Sequence, residues 1–354
     1  MERVRSGIWS IPVLIPDSPL RYVNCYVVET GVGLVMVDPG WPADVAWQAL
    51  REGVGRAGLD LADIAGVVVS HAHADHHGLA FRVREASGCW VAVHRADADL
   101  LDRLRDGRAV EQRDKTWPAE CGVPRAERPA LRLDPAYARR MSVLDPDHRI
   151  DAEDVGLLTR GRIEALWTPG HTPGHLCLRV PGEKVVLTGD HVLPRITPTI
   201  GTYSSEGGDA LADYMRSLSE VAVWAGDATV EALPGHEYRF RDLPARVEAM
   251  HRHHRARLDE IEAILPEAGD AATAWDVARR LTWSRSWEET TGQRRRLALA
   301  ETLAHLVRLR AQGRVRSVPG TPVLWSLEPS PTPSVIGEKK YEEEYEEEER
   351  HVRE

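Results

Sequence analysis

Hydrophobic residues in the first half of the chain follow two alternating patterns. Short apolar and β-branched runs are typical of buried strands, and four of them occur, at residues 24–29, 33–37, 64–70 and 90–94. Between these runs, residues 42–53 and 79–86 place apolar side chains at helical spacing. Strands that alternate with helices in this way predict an α/β domain in which helices cover a sheet.

The same alternation returns in the second half of the chain. Strand-like runs and helix-like spacing occur there at residues 163–167, 176–180, 184–188, 229–233, 210–221 and 242–265. Because these elements continue the earlier pattern, we assign residues 1–265 to one large α/β domain.

Residues 98–150 interrupt the alternation. They are rich in charge, they contain only short helical pieces, and they carry five prolines: Pro118, Pro124, Pro129, Pro135 and Pro146. We interpret this segment as an insertion or lid, because such excursions often carry substrate contacts. A solvated surface excursion without a role in binding explains the same composition equally well.

The pattern of hydrophobic and polar residues changes again after the large domain. Helices are predicted at 273–281 and 292–312, followed by two short runs at 314–318 and 322–327 that could pair as a hairpin. Helices followed by a small hairpin indicate a winged-helix-like C-terminal domain over residues 270–327. The Pro/Ser-rich and Glu-rich residues 328–354 predict a disordered acidic tail.

Charge narrows the choice of partners. The formal net charge is −10, and residues 338–354 supply −5 of it through nine glutamates against four lysines and arginines. The remainder is therefore only mildly acidic and exerts no overall attraction on nucleic acid or anionic lipid. We expect no membrane partner. Nucleic acid is disfavoured as a partner, although a local basic patch would still be compatible with this charge.

The location of the protein is predicted from what its sequence lacks. The first residues carry charges and no apolar signal core, and no run of about 18 apolar residues follows that could span a membrane. We expect a cytoplasmic protein, and because disulfides are rare in the cytosol we expect its four cysteines, Cys25, Cys89, Cys121 and Cys177, to be reduced. None of them forms a C-x-x-C pair. The sequence leaves a homo-oligomer open.

The strongest chemical signal directly follows the predicted strand at 64–70. The next seven residues hold four histidines and one aspartate, a density that a hydrophobic core would not tolerate. Imidazole and carboxylate groups are the ligands that borderline metal ions such as zinc prefer. His71 and His73 alternate along an extended segment and can point the same way. Asp75 and His76 follow a turn and can face a second ion.

Two metal ions need further ligands, and three candidates follow later strands. His171 lies in a turn built from two Pro-Gly pairs, Asp190 follows Thr188-Gly189, and His236 follows Pro234-Gly235. The Asp190 carboxylate can bridge two cations, which an imidazole cannot readily do. Because all of these residues come after strand ends, we expect them to meet at one edge of the sheet.

Other side chains near these motifs have less specific roles. His175 and His191 are expected to orient the ligands, and Trp117 and Trp167 are expected to lie in the core. The run Arg294 to Arg296 predicts either a solvated helix start or a contact with phosphates.

Together these residues resemble the metallo-β-lactamase superfamily. Residues 71–76 match its H-x-H-x-D-H signature, and His171, Asp190 and His236 match its later ligands in order and setting. Asp38 matches an acidic residue that ends an early strand in the family. The resemblance covers roughly residues 7–265 and implies an α/β fold, the four-layer αβ/βα sandwich of the family.

The resemblance also implies a site for two divalent metal ions. Zinc is the default ion, and manganese or iron would fit. His71, His73 and His171 would hold the first ion, Asp75, His76 and His236 the second, and Asp190 both. Two such ions activate a bridging hydroxide for hydrolysis, and Asp75 would steer it or move its proton to the leaving group.

The substrate branch is mixed, and three function classes compete. Residues 190–193 and the C-terminal module resemble the β-lactamase-like endoribonuclease subgroup, whereas residues 234–238 resemble the glyoxalase II thioesterases. We favour a metallo-hydrolase of an ester, thioester or lactone with a small or carrier-bound acyl group, because the chain lacks the basic character typical of nucleases. The alternatives are a phosphodiesterase acting on RNA and a non-enzymatic protein that binds nucleic acid through the winged helix. The complete ligand set argues against the last.

Overall fold

Two β-sheets form the centre of the protein. The computed structural model describes residues 1–134, 139–140, 144–201, 208–226, 228–269 and 271–329. Among these residues, the first sheet has seven strands in sequence order: β1 (Glu2–Arg5), β2 (Ile8–Leu14), β3 (Tyr22–Thr30), β4 (Gly33–Val37), β5 (Ile64–Val69), β6 (Trp90–His94) and β7 (His148–Ile150). Strands β1 to β4 are antiparallel neighbours, and β4 to β7 are parallel.

The second sheet has the strand order β11-β10-β9-β8. Its strands are β8 (Glu164–Trp167), β9 (Leu176–Val180), β10 (Val185–Gly189) and β11 (Glu231–Pro234). Strands β10 and β11 are parallel, and the other pairs are antiparallel. The carboxyl ends of β4 to β7 therefore lie at one edge of the first sheet, and those of β10 and β11 lie at one edge of the second.

One hydrophobic core fills the space between the sheets. Val68 of the first sheet belongs to the same buried cluster as Leu178 and Leu187 of the second. Its neighbours Val67 and Val69 point to the opposite side and lie in a different cluster. Because successive side chains of a strand face opposite ways, burial on both faces explains why β5 appears as a continuous apolar run.

Helices cover the outer face of each sheet. The described helices are α1 (Asp44–Arg56), α2 (Ala74–His77), α3 (Ala80–Ser87), α4 (Arg95–Arg105), α5 (Gly107–Glu120), α6 (Ala152–Leu158), α7 (Ala210–Ala225), α8 (Leu243–Glu267), α9 (Ala274–Ala278) and α10 (Gly292–Ala311). Leu50, Val83 and Leu101 of α1, α3 and α4 pack on the first sheet, whereas Leu218 and Val247 of α7 and α8 pack on the second. The predicted four-layer αβ/βα sandwich is confirmed.

The two N-terminal strands were not expected from the sequence pattern. Strand β1 is charged and lies at the edge of the sheet, where polar residues protect against edge-to-edge pairing. Strand β2 contains Pro12, which lowers its strand signal, and its register is set by pairing with β3.

The segment predicted as an insertion at 98–150 contains α5 and most of α4. Its last residues, 148–150, form β7 and pair with β6, so the excursion ends before the predicted boundary. Trp117 and Leu131 from this segment lie in one buried cluster with Trp275 and Leu299 from the C-terminal part of the chain. The excursion and the C-terminal helices therefore share a hydrophobic core.

Residues 271–329 contain α9, α10 and an antiparallel hairpin of β12 (Val315–Val318) and β13 (Leu324–Leu327). The backbone of Trp275 donates a hydrogen bond to Cys121 O at 2.9 Å, and that of Val323 donates one to Glu120 O at 2.8 Å. From residue 330 onward, the predicted acidic tail lies outside the described residues.

All four cysteines are buried and free. No helix in the described part of the chain is both long enough and apolar enough to cross a membrane.

Candidate metal centre

The predicted ligands gather at the edge where parallel strands end. His71 follows β5, His171 follows β8, Asp190 follows β10 and His236 follows β11. Two backbone hydrogen bonds join the sheets here, from Leu176 N–H to Ser70 O at 2.8 Å and from Asn24 N–H to Gly235 O at 2.7 Å. The loops that carry the ligands are therefore fixed to both sheets.

The seven side chains form two adjacent clusters among the described residues. The first group is His71, His73, His171 and Asp190, and the second group is Asp75, His76 and His236. Within each group, the atoms that could bind a metal lie within 4.8 Å of one another. The structure thus brings together every residue that the sequence predicts as a ligand.

Three imidazole nitrogens meet in the first group. His73 Nδ1 lies 3.0 Å from His71 Nε2 and 3.0 Å from His171 Nε2. Nitrogens bound to one zinc ion in a tetrahedron stand about 3.3 Å apart, given zinc–nitrogen bonds of about 2.0–2.1 Å. The observed separations are close to that arrangement.

Hydrogen bonds on the far side of these rings show which nitrogens carry lone pairs. Ser70 Oγ donates to the Asp38 carboxylate at 2.6 Å, so His71 Nδ1–H donates to Ser70 Oγ at 3.0 Å. His171 Nδ1–H donates to the Thr199 carbonyl at 3.0 Å. The Nε2 atoms of both rings therefore direct lone pairs at His73 Nδ1, which can give a proton to only one of them. A cation between the rings resolves this repulsion.

The second group contains buried nitrogens without hydrogen bonds. His76 Nδ1 lies 2.9 Å from Asp38 Oδ2, and His236 Nδ1 donates to the Tyr22 carbonyl at 2.9 Å. The Nε2 atoms of both rings have no hydrogen-bond partner among the described residues. Unpaired buried polar atoms are costly, and here both point towards carboxylates. This is the donor arrangement that a divalent cation would satisfy.

The Asp190 carboxylate lies between the two groups. Its Oδ1 is 3.4 Å from His76 Nε2, and its Oδ2 is 3.4 Å from His236 Nε2 and 3.8 Å from His171 Nε2. Gly235 leaves room for this carboxylate, because a Cβ at that position would stand 2.5 Å from Asp190 Oδ1. Oδ1 therefore lies nearest His76, whereas Oδ2 lies near both His171 and His236.

The pKa values of two of the predicted ligand histidines, His73 and His76, shift in opposite directions. Burial and the neighbouring His171 lower the pKa of His73 to about 3. Burial alone would lower the pKa of His76, but the carboxylates of Asp190 and Asp38 raise it to about 10. Burial opposes ionisation of Asp190, yet His236 and His76 hold the pKa of its carboxyl well below the usual range. The site therefore attracts positive charge, which protons or metal ions can supply.

Sequence reasoning missed one buried acid beside this centre. Asp97 is fully buried in the first turn of α4, and burial raises the pKa of its carboxyl to about 6 although Thr172, Gly174 and Ala72 donate hydrogen bonds to it. Asp97 follows the end of β6 as closely as the ligands follow their strands, and this position is the signal that could have identified it.

The sequence profile of the Metallo-beta-lactamase superfamily matches residues 18–236, which is more than half of the chain. The chain belongs to this superfamily.

Two relatives match the chain over different lengths. An uncharacterized protein of Mycobacterium leprae is 32% identical over 217 residues, which cover 60% of this chain and 85% of that protein. The probable metallo-hydrolase YqjP of Bacillus subtilis is 27% identical over 305 residues, which cover 83% of this chain and 90% of YqjP. Similarity to YqjP therefore includes part of the C-terminal region.

A solved superfamily structure shows a similar overall arrangement. The crystal structure of a metallo-beta-lactamase family protein from Thermus thermophilus is 28% identical and superposes with a TM-score of 0.76. The similarity covers 92% of this chain and 100% of that chain.

The structure places His175 and His191, which were predicted to orient the ligands, and Trp117 and Trp167, which were predicted to lie in the core. His175 Nε2 accepts a hydrogen bond from the Asp190 backbone at 3.2 Å, and Ser217 Oγ lies 3.2 Å from His191 Nε2. Trp117 is buried as expected, whereas the prediction for Trp167 is wrong, because 45% of its surface is exposed. Trp167 stacks on the His94 ring and donates to the Pro173 carbonyl.

The arginine run at the start of α10 joins two parts of the chain. Arg295 pairs with Glu127 at 3.0 Å, and Arg296 pairs with Asp114 at 2.6 Å. Neither of the two predicted roles, a solvated helix start or a phosphate contact, describes these two side chains. They hold α10 against the excursion at 98–147.

The Asp38→Asn variant should weaken metal binding by the second group about 10- to 100-fold, the usual cost of changing a residue that orients a metal-binding histidine. An amide NH₂ beside His76 Nδ1 would donate to that nitrogen and shift the ring proton to Nε2, where it blocks a lone pair. Metal titration against a competing chelator measures the change. Asp44→Asn, an exposed acid near the same strand end, should leave the affinity unchanged. Equal affinities for all three proteins would contradict this orienting role.

Proposed function

We propose that this chain is a binuclear metal-dependent hydrolase that cleaves an ester, thioester or lactone with a small or carrier-bound acyl group. The observation that carries the proposal is the position of Asp190 between two ligand groups. His71, His73 and His171 would hold one ion, and Asp75, His76 and His236 the other. Asp190 would contribute to both.

Two divalent ions at this centre would supply a nucleophile derived from water at neutral pH and positive charge opposite the substrate oxygen. Asp75 is suited to move the proton. Its side chain is 18% exposed, against 11% for Asp190. Asp75 would accept a proton from the attacking water and pass it to the leaving group.

Two arginines beside the ligand loops bind groups of the protein itself, which supports acyl chemistry over RNA cleavage. Arg195 forms a 2.6 Å ion pair with Glu237, and Arg246 donates to the carbonyls of Leu193 and Ile196. Both arginine side chains therefore bind acceptors within the protein itself. A nuclease usually needs a basic track that remains available to the phosphates of its substrate.

The donor set favours zinc as the bound ion. Five imidazoles and two carboxylates converge, and imidazole suits zinc or iron while carboxylate also suits manganese. Loading the metal-free protein with each ion in turn would determine which one supports turnover.

We also infer that residues 270–327, as a winged-helix-like domain, help to select the substrate and do not bind DNA. Arg295, Arg296 and Arg308 of α10 are all paired with acidic residues. Groove-binding helices usually present a dominant surface of phosphate-binding side chains.

Side-by-side kinetics would test the proposed activity. We expect metal-dependent turnover of acyl thioesters or lactones and weak cleavage of single-stranded RNA. The Asp75→Asn variant should lower kcat by about 10²- to 10⁴-fold, the usual contribution of a group that transfers a proton. Assays with zinc and with manganese, using kcat/KM for each substrate, provide the measurement.

Metal content must be determined for the same samples, because Asp75 is also a proposed ligand. Asp213→Asn, an exposed acid on α7 that pairs with Arg216, is the matched control and should behave as the wild type. Strong ribonuclease activity that disappears in Asp75→Asn would instead identify a phosphodiesterase. No hydrolysis by protein that holds two ions would argue for the non-enzymatic alternative.

A further inference from the structure

A fully buried carboxylate outside the predicted ligand set makes three short hydrogen bonds. Asp97 Oδ2 accepts from the Ala72 backbone N–H at 2.7 Å and from Thr172 Oγ1 at 2.7 Å. Asp97 Oδ1 accepts from the Gly174 backbone N–H at 2.6 Å. Charged hydrogen bonds of this length are strong, and three of them fix the carboxylate from both sides.

The donors belong to the two segments that carry the imidazoles of the first group. Ala72 lies between His71 and His73 in the sequence, and Thr172 directly follows His171. One carboxylate therefore joins the backbones that present three metal-facing nitrogens. Those nitrogens come from loops about a hundred residues apart, so their relative positions depend on a connection of this kind.

The surrounding backbone is shaped for this carboxylate. A Cβ at Gly174 would stand 2.5 Å from Asp97 N and 2.8 Å from Asp97 Cγ. Only glycine at that position lets the turn approach α4 closely enough for the 2.6 Å hydrogen bond. Asp97 on α4 and Gly174 in the turn therefore both contribute to this connection.

All three partners of Asp97 donate, so the residue must offer acceptors only. Asparagine has nearly the same shape, but its NH₂ group would face at least one of these donors. Asp38, by contrast, accepts from Ser70 and lies beside His76 of the second group. Asp38 reaches the first group only through Ser70 and His71, whereas Asp97 binds the backbone on both sides of that group.

We propose that Asp97 is a positioning residue that selectively sets the affinity of the first group for its metal ion. It aligns His71 and His73 with His171 and acts on metal binding only through them. The inference rests on the proposed function, because it requires that each group binds an ion.

Stepwise metal affinities of full-length Asp97→Asn would test this role. We expect the affinity of the first group to fall about 10- to 100-fold, the range seen when partners that orient ligands are removed, and that of the second group to change less than about threefold. Titration of metal-free protein with Co²⁺, followed by its visible absorption and by chelator competition, resolves the two steps. With excess metal, kcat should return towards the wild-type value while KM stays unchanged.

Two further variants keep the test decisive. Asp99→Asn is the matched control, because Asp99 lies on the same helix, is exposed and pairs with Arg149. Thr172→Val removes only one of the three hydrogen bonds, so it should produce a smaller loss in the same affinity even if Asp97→Asn folds poorly. Thermal unfolding of the metal-free proteins separates stability from metal binding.

The outcomes are distinguishable. Selective loss of the first group's affinity in Asp97→Asn or Thr172→Val supports the proposal, and selective loss of the second group's affinity overturns it. Equal loss of both affinities, or loss that parallels the unfolding temperature of the metal-free protein, would show a general structural role and overturn it. Unchanged affinities in both variants would also overturn it. A wild-type protein that binds less than one ion would refute the binuclear centre, and the role of Asp97 would fall with it.

Discussion

Replacing Asp190 by alanine should remove both metal ions and reduce hydrolysis to the background rate. The two carboxylate oxygens face different neighbours, with Oδ1 towards His76 and Oδ2 towards His171 and His236. Its loss would leave the first group with imidazoles alone and deprive the second of one of its two nearby carboxylates. Removing one partner from a buried ion pair typically costs about 3–5 kcal/mol.

Elemental analysis after dialysis against metal-free buffer, together with kcat/KM, would measure this loss. Wild-type protein should hold close to two ions per chain, and Asp190→Ala close to none. Asp213→Ala, which removes an exposed carboxylate from α7, is the control and should retain both ions. Full metal content in Asp190→Ala would exclude the shared role of this carboxylate.

Gly235→Ala should disable the centre through a single methyl group. The added Cβ would stand 2.5 Å from Asp190 Oδ1 and 2.7 Å from His76 Cε1, and both side chains are held by their surroundings. Overpacking of a rigid interior typically costs about 1–3 kcal/mol. Because the displaced atoms belong to two proposed ligands, we expect metal affinity to fall by about 10- to 100-fold, the usual cost of disturbing the geometry of metal-binding side chains.

The same substitution at another glycine separates the local clash from a general effect. Gly55 lies in α1 and faces open space, since no atom lies within 4 Å of the position that a Cβ would take. Gly55→Ala should preserve metal binding and stabilise the helix by about 0.5–1 kcal/mol. Chelator competition and thermal unfolding would compare the two variants. Wild-type metal affinity in Gly235→Ala would show that the ligands move aside without loss.

The four-layer fold was predictable because its inner strands have an unambiguous pattern. Strand β5 is buried on both faces, so its residues are continuously apolar and its end is marked by polar ligands. Strands β10 and β11 end in Gly189 and Pro234, which direct the chain out of the sheet just before a ligand. Local sequence therefore encodes both the strand and the residue that the strand presents.

Other features depend on contacts that are distant in sequence. Strand β1 is charged, and its strand structure depends on pairing with β2. Strand β2 contains Pro12, which weakens the sequence pattern typical of a strand. Asp97 resembles any acid in the first turn of a helix until its partners at Ala72 and Gly174 are known. Arg296 resembles a surface arginine until Asp114 is placed opposite it.

The ligands themselves were predictable for a different reason. Imidazole and carboxylate groups concentrated after apolar strands have few structural explanations, so their chemistry identifies them without knowledge of the fold. Asp97, which orients some of them, carries no such signature, because its role arises only when Ala72 and Gly174 lie beside it in the fold.

The hydrophobic core shared by the excursion and the C-terminal helices has a consequence for synthesis on the ribosome. Trp117 and Leu131 emerge early, but the residues that bury them, such as Trp275 and Leu299, are translated last. At about 5–20 residues per second, roughly 10–30 s pass between the synthesis of Leu131 and that of α9 and α10, and this apolar surface stays exposed on the nascent chain during that time. We therefore expect ribosome-bound chains that stop before α9 to be ready clients for chaperones that bind exposed hydrophobic segments.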